Sequence, residues 1–170
     1  QPRKLSQLHL GGGSPSMLRH EDFARLRKAL EKIANFDETT EVSVEIDPSD
    51  QTFDLLGGLT ALGVTRASIG VQDFDHDVQV AINRIQTFEQ TRRTIDALRG
   101  LGIKSVNIDA LYGLPYQTTE RLMATLDKVV ELAPDRIALF GYAHVPRMKK
   151  HQTMIDEAAL PKLYTAYTPC

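Results

Sequence analysis

Two carboxylates, an arginine and a glycine run carry most of the chemistry that this chain could do. Glu45 ends the short run Val42-Ser43-Val44, and Asp109 ends Val106-Asn107-Ile108. A carboxylate in such a place accepts hydrogen bonds from an ammonium or from hydroxyls, as on an amino acid or a ribose. Taken singly, each acid is equally well read as a helix cap or a loop hydrogen bond. Asp47, before Pro48, fits a turn better still. Arg84, in Asn83-Arg84-Ile85-Gln86, can clamp a ligand carboxylate with its planar fork, or make a plain surface ion pair. Gly11-Gly12-Gly13-Ser14-Pro15 takes three side chains out of the path of the backbone N–H groups, so a carboxylate or phosphate can come close. A tight turn accounts for the glycines as well, and the spacing is neither G-x-G-x-x-G nor a P-loop. Gln72 follows Gly70-Val71. His144, after Tyr142-Ala143, suits acid–base work or a structural hydrogen bond. His9 lies inside a strand and is read as a satisfied core or layer residue, while His20, His76 and His151 are read as surface. No C-x-x-C, H-E-x-x-H or G-x-S-x-G occurs, which removes zinc and serine-hydrolase chemistry, and no metal-ligand spacing is present.

These residues sit where short apolar runs give way to helical patterns. The spacing predicts strands over 5–10, 41–46, 66–71, 104–109 and 136–141. Helices are predicted over 20–35, 51–62, 75–82, 87–100, 118–132 and a last stretch near 150–158. Phe23, Leu26, Leu30 and Ile33 make an apolar stripe on the first helix, and Leu122, Leu126, Val129 and Val130 one on the helix over 118–132. Gly63 and Gly102 stand just past helical runs, as C-terminal caps do. The helix–glycine–strand rhythm is that of βα units, and five consecutive units are too few for a closed eight-stranded barrel. An α/β fold with about five parallel strands and helices outside is expected, as a partial barrel or an open sheet. In either, the C-terminal ends of the strands open on one face, where ligands bind.

The bulk properties narrow the partners. The chain has 170 residues, is 42% hydrophobic and 25% charged, and carries a net charge of −2. Basic residues form no long stripe, so neither nucleic acid nor an anionic membrane is expected as a partner. Arg147-Met148-Lys149-Lys150 reads as a solvated helix start. The single cysteine, Cys170, excludes a disulfide framework and fits a reducing cytoplasm. No apolar run approaches the ~18 residues of a membrane span, and no signal-peptide pattern opens the chain. The chain starts without Met and enters a strand almost at once, so it is expected to be a piece of something longer. A monomer is expected.

Several words occur in one order: Leu8-His9-Leu10-Gly11-Gly12-Gly13-Ser14-Pro15, Val44-Glu45-Ile46-Asp47-Pro48, Gly70-Val71-Gln72-Asp73-Phe74, Asn83-Arg84, Asn107-Ile108-Asp109-Ala110-Leu111-Tyr112-Gly113-Leu114-Pro115 and Tyr142-Ala143-His144-Val145-Pro146. Together they resemble the oxygen-independent coproporphyrinogen III oxidases, radical S-adenosylmethionine (SAM) enzymes of haem biosynthesis, from about residue 5 to 161. The glycine word recurs across radical SAM enzymes. Gln72-Asp73-Phe74 with Asn83-Arg84-Ile85-Gln86 is more specific, because the related haem-chaperone-like proteins usually carry Ser where Asp73 stands.

The resemblance implies a partial (β/α) barrel binding two SAM molecules beside a [4Fe–4S] cluster, and decarboxylation of two propionates of coproporphyrinogen III to vinyl groups, giving protoporphyrinogen IX by a 5′-deoxyadenosyl radical. It also implies an electron donor and an electron acceptor as partners. Carried over by position, Gly12 and Glu45 contact the first SAM, and Gly13, Ser14, Gln72, Arg84, Asp109 and Ala143 the second. No residue is assigned to the catalytic step itself. Two departures stand out. The family's cluster is held by three cysteines in a C-x-x-x-C-x-x-C loop after the first barrel strand, absent from this sequence, so residues 1–161 read as a core fragment from the second strand onward, inactive alone. Residues 162–170 no longer resemble the family, and Arg147 stands where a bulky aromatic is expected. The alternatives are a haem- or SAM-binding chaperone-like relative without oxidase activity, and an unrelated β/α enzyme acting on a zwitterionic or phosphorylated substrate.

Overall fold

The computed structural model describes residues 3–12, 15–50 and 53–143, without the side chains of residues 16, 50, 53 and 54. Its elements in chain order are β1 (Arg3–Lys4), β2 (Gln7–Leu10), α1 (His20–Leu30), β3 (Ala34–Asn35), β4 (Glu41–Ile46), α2 (Phe53–Leu62) and β5 (Arg66–Gln72). Then come α3 (His76–Ala81), α4 (Phe88–Gly100), β6 (Ser105–Tyr112), α5 (Thr119–Glu131) and β7 (Arg136–Gly141). Short 3-10 turns at Pro15–Met17 and Pro48–Asp50 follow β2 and β4.

Five strands pair in parallel in the order β2-β4-β5-β6-β7, and β1 pairs with β3 beside them. Among the described strands the order follows the chain and does not reverse, so they form no topological switch point of the doubly wound kind. Strand alternation divides the side chains between two faces. Val42, Val44, Ile46, Ala67, Ile69, Val71, Val106 and Ile108 face one way. They form a single core with Phe23 of α1, Leu55, Leu59 and Leu62 of α2, Ile95 and Leu98 of α4, and Val129 of α5. Among the described residues, α1, α2, α4 and α5 therefore cover one face, as in a partial (β/α) barrel. The opposite face carries the intervening residues and is left as a concave, polar wall.

The predicted elements are found, with corrections. The first helix ends at Leu30, not residue 35, because Ala34 and Asn35 pair with Arg3 and Lys4 as β3. Ile33 thus leaves the apolar stripe and is 69% exposed; Val130, at the margin of the α5 stripe, is 64% exposed. β6 runs three residues beyond 109, since Ala110, Leu111 and Tyr112 continue in register with Leu139, Phe140 and Gly141. Asp109 consequently lies within its strand, not at the end. Gly63 and Gly102 do cap their helices, each at φ +80, a conformation that L side chains rarely adopt. The helix expected near 150–158 and the tail from 162 lie outside the described residues.

Two predictions follow from this packing. Replacing a glycine inside a helix with alanine ordinarily gains about 1 kcal/mol. A Cβ on Gly58 of α2, however, would come within 2.1 Å of the Phe23 ring, which is fully buried. Gly58→Ala should therefore lower stability by roughly 1–3 kcal/mol in urea unfolding, and a gain would contradict the α1–α2 contact. The turn into β4 is pinned by Asp37, whose carboxylate accepts from Thr39 N (2.9 Å) and Thr39 Oγ1 (2.7 Å) and pairs with Lys4 Nζ at 3.0 Å. The Thr39 hydroxyl first, then Lys4, holds its carboxyl below the ordinary 3.8, at about 2. A lowered carboxylate stabilises above its unfolded value and loses that contribution as pH falls towards 2. Asp37→Asn should flatten the acid limb of stability between those two values, and an NMR titration placing Asp37 near 3.8 would contradict this arrangement.

Candidate functional site

The polar wall is assembled by register. His9 lies opposite Ser43, Glu45 opposite Ser68, Ser68 opposite Asn107, Gly70 opposite Asp109, and Asp109 opposite Ala138. These residues therefore share the face turned away from the helices. Ser43, Ser68 and Ala138 are small, so the face leaves room: an open cavity of about 400 Å³ lined by His9, Glu45, Ser68, Asn107, Asp109 and Phe140 among others.

Each carboxylate on this wall is held by its neighbours. Glu45 Oε2 accepts the Gly12 N–H at 3.1 Å, and Glu45 Oε1 lies 3.4 Å from His9 Nε2. Asp109 accepts from Ser68 Oγ at 2.8 Å and from Asn107 Nδ2 at 2.6 Å, and Asn107 Nδ2 also reaches Ser68 Oγ at 2.7 Å. Ionised carboxylates hold more acceptor sites than these bonds use, so both keep capacity for a ligand's ammonium or hydroxyl groups.

A second cavity of about 490 Å³ opens at the C-terminal ends of the strands, lined by Asp47, Gln72, Arg84, Leu111, Leu114 and Tyr142 among others. Arg84 Nη2 pairs with Asp47 Oδ2 at 2.8 Å and donates to Gly70 O at 2.9 Å. Arg84 Nε is buried and without a hydrogen-bond partner among the described residues. The guanidinium lies over Gly70, where a Cβ would stand 3.3 Å from Nη2. Asp47 is thus the ion-pair partner of Arg84 as well as a turn residue, its Oδ1 accepting from Ser49 N and Oγ.

Gln72 reaches this cavity through an irregular strand end. The β5–β6 register shifts between Gly70 and Gln72, and Gln72 adopts φ +67, unusual for a residue with a side chain. What imposes it is a buried polar network that sequence reading missed. The Asp73 carboxylate, fully buried, accepts from Asp75 N, Thr125 Oγ1 and Gln117 Nε2. Gln117 Oε1 accepts from Gly113 N, which ties the loop after β6 to the same carboxylate. Gln86 Nε2 donates to Val71 O, while Gln79 Nε2 donates to both Asp73 O and Gln86 O. One signal existed: Gln79 sits between Val78 and Val80 on a short helix, with its amide on the buried side.

Of the predicted site residues, Glu45, Asp109 and Gly12 meet at or beside the inner cavity, and Gln72 and Arg84 meet at the outer one. Ala143 follows Tyr142, a residue of the outer cavity, and is exposed. Gly13, Ser14 and His144 lie outside the described residues. His9 is a satisfied layer residue, its ring contacting Ser43 and Glu45, but not a core one: it stands half-exposed in the inner cavity. Among the described residues no group of three or more His, Cys, Asp and Glu could hold a metal ion. No described helix is long and apolar enough to cross a membrane.

A five-stranded parallel sheet with its core helices on one face, among the described residues, and Glu45 and Asp109 on the other has the architecture of a partial β/α barrel. Comparison with known proteins specifies it further. Residues 1–129 match the radical SAM superfamily, and the chain belongs to it. It is 48% identical over 158 residues to the oxygen-independent coproporphyrinogen III oxidase of Bradyrhizobium diazoefficiens, covering 93% of this chain and 35% of that protein. The coproporphyrinogen III oxidase of Escherichia coli, a radical SAM enzyme of known structure, superposes with a TM-score of 0.82 at 43% identity, over 92% of this chain and 36% of that one. The archaeal Elp3 of Methanocaldococcus infernus shares the fold alone, with a TM-score of 0.71 at 16% identity. The chain thus spans about a third of the length of the curated relatives it matches.

The buried network yields a prediction. Asp73→Ala takes the acceptor from Asp75 N and Thr125 Oγ1 and leaves Gln117 Nε2 with Leu111 O alone, at roughly 1–3 kcal/mol for each group left unsatisfied. Urea unfolding should show a loss of about 2–4 kcal/mol; an unchanged midpoint would mean that the network does not hold the strand end.

Proposed function

We propose that these residues form the SAM-binding wall of an oxygen-independent coproporphyrinogen III oxidase. The observation that carries the reading is the joint placement of Glu45, Asp109, Gln72 and Arg84 on one wall and its rim, in a chain close to half identical to enzymes of that name. Glu45 and Asp109 suit an ammonium or ribose hydroxyls, Arg84 suits a carboxylate, and the Gly12 N–H lies where a ligand can approach closely. The assignment follows position: Gly12 and Glu45 to a first SAM, and Gly13, Ser14, Gln72, Arg84, Asp109 and Ala143 to a second.

Bound SAM supplies the hydrogen-abstracting chemistry for which the superfamily is named. In the proposed reaction each of two propionates of coproporphyrinogen III loses carbon dioxide, one hydrogen atom and one electron, leaving a vinyl group. An electron donor and an electron acceptor are therefore partners. This chain's residues bind and orient: Glu45 holds the first SAM and Asp109 the second through amino or ribose groups, and Arg84, already paired with Asp47, donates to a ligand carboxylate at the outer cavity. The donor set fits SAM and does not fit an iron–sulfur cluster. The 170 residues contain one cysteine, Cys170, against the three thiolates such a cluster calls for, so its ligands would be cysteines outside this sequence.

The test is 5′-deoxyadenosine release by the whole gene product, reconstituted anaerobically with iron and sulfide and given reductant and coproporphyrinogen III. Substrate-dependent release that drops at least ten-fold in Glu45→Ala and in Arg84→Ala is expected, each losing a charge-assisted contact of about 1.5–3 kcal/mol. A reconstituted protein that binds haem and releases nothing on substrate addition would instead place it with the chaperone-like relatives.

A further inference from the structure

We propose that His9 is the positioning residue of Glu45, through a proton on Nε2 directed at the Glu45 carboxylate; this rests on the SAM-site reading given above. His9 and Ser43 are direct partners in the β2–β4 register, and Glu45 lies two residues further on the same face of β4. One imidazole ring can therefore reach both, straight across with one nitrogen and diagonally with the other. It does so: Nδ1 lies 2.9 Å from Ser43 Oγ, and Nε2 lies 3.4 Å from Glu45 Oε1. Glu45 Oε2 meanwhile accepts the Gly12 N–H at 3.1 Å, so the carboxylate has a neighbour on each side.

The backbone makes room for this contact. A Cβ at Gly11 would stand 2.6 Å from His9 Nε2 and 2.8 Å from Glu45 Oε1. Gly11 thus passes directly beside the two facing atoms, and alanine there would push them apart. The first glycine of the run serves the imidazole–carboxylate pair, whereas Gly12, at φ +74, supplies the N–H and the turn.

The distances decide where the proton must be. Ser43 Oγ also lies 3.3 Å from Leu8 O, to which it can donate. If the ring is neutral with its proton on Nε2, that N–H faces Glu45 and the Ser43 hydroxyl donates to Nδ1. If the ring is an imidazolium, both nitrogens donate and the Ser43 proton is free for Leu8 O. A neutral ring with Nε2 bare would set a lone pair against the carboxylate. Both favourable arrangements share the proton on Nε2. Because His9 and Glu45 are 56% and 49% exposed, solvent screens their attraction, and the role is orientation more than stability.

Imidazole ¹⁵N shifts of the 170-residue chain test the proton directly, with His9 identified among the five histidines by loss of its signals in His9→Gln. A protonated Nε2 whose shift moves in Glu45→Gln is expected; a bare Nε2, or one indifferent to Glu45→Gln, overturns the proposal. Positioning is tested by titrating the chain with S-adenosylhomocysteine, a SAM analogue that needs no cluster redox chemistry. His9→Leu should weaken binding about five-fold in the wild-type background and leave it unchanged in Glu45→Gln, since one residue acting through another gives non-additive effects. His9→Gln, which can still present an N–H to Glu45, should restore most of the affinity. Equal losses in both backgrounds would mean a merely structural histidine and overturn the role. No binding by the unaltered chain would overturn the SAM-site reading and the positioning role with it, while the ¹⁵N shifts would still report on the pair.

Discussion

The register of three parallel strands, β4, β5 and β6, is the constraint on which the polar wall depends. Ser43 beside Arg66, Glu45 beside Ser68 beside Asn107, and Gly70 beside Asp109 are positions that alternate with valine, isoleucine and alanine along each strand. Side chains on a strand change face at every residue, so a slip of one position would turn the acids into the helix layer and the aliphatics into the cavity. The buried row Val42, Val44, Ala67, Ile69, Val106 and Ile108 makes such a slip costly, because burying those side chains is what binds the helices to the sheet. The core thus aims Glu45 and Asp109 without touching a ligand.

At the strand ends the constraint changes character. Gln72 holds a backbone conformation that strand pairing alone would not choose, and the neighbouring Asp73 is fixed by α5, by the loop after β6 and by its own following turn. Amide side chains from Gln79 and Gln86 satisfy the carbonyls that the bulge frees. A strained residue persists only where its surroundings over-determine it, and such residues gather at functional sites. Asp73 also gives a physical meaning to the word that separated two readings of the sequence. It lines neither cavity; a serine in its place would offer one oxygen where three donors converge.

Much of this was legible in the sequence. The alternation in Val42-Ser43-Val44-Glu45 and in Ala67-Ser68-Ile69-Gly70 marked the strands and their faces, and glycines marked the helix ends. The boundaries that failed have local causes: residues 31–35 continue a helical stripe in sequence, but Ala34 and Asn35 pair with Arg3 and Lys4 in space. The partners of His9 were not legible, because a histidine within a strand does not announce which neighbour lies two residues along the adjacent strand. The Asp73 network was invisible for the same reason, since Thr125 and Gln117 meet it from more than forty positions away. Long-range pairing decides these roles, and no periodicity encodes it.

The central claim is that the face turned away from the helices, and its strand-end rim, bind SAM. Amide ¹H–¹⁵N spectra of the labelled chain, titrated with SAM, examine it residue by residue. The account predicts that Gly12, Glu45, Gly70, Gln72 and Asp109 shift together and saturate, while amides of α1 and α2 on the far side of the core stay in place. Shifts confined to the helix layer, or none at all in a folded chain, would contradict it.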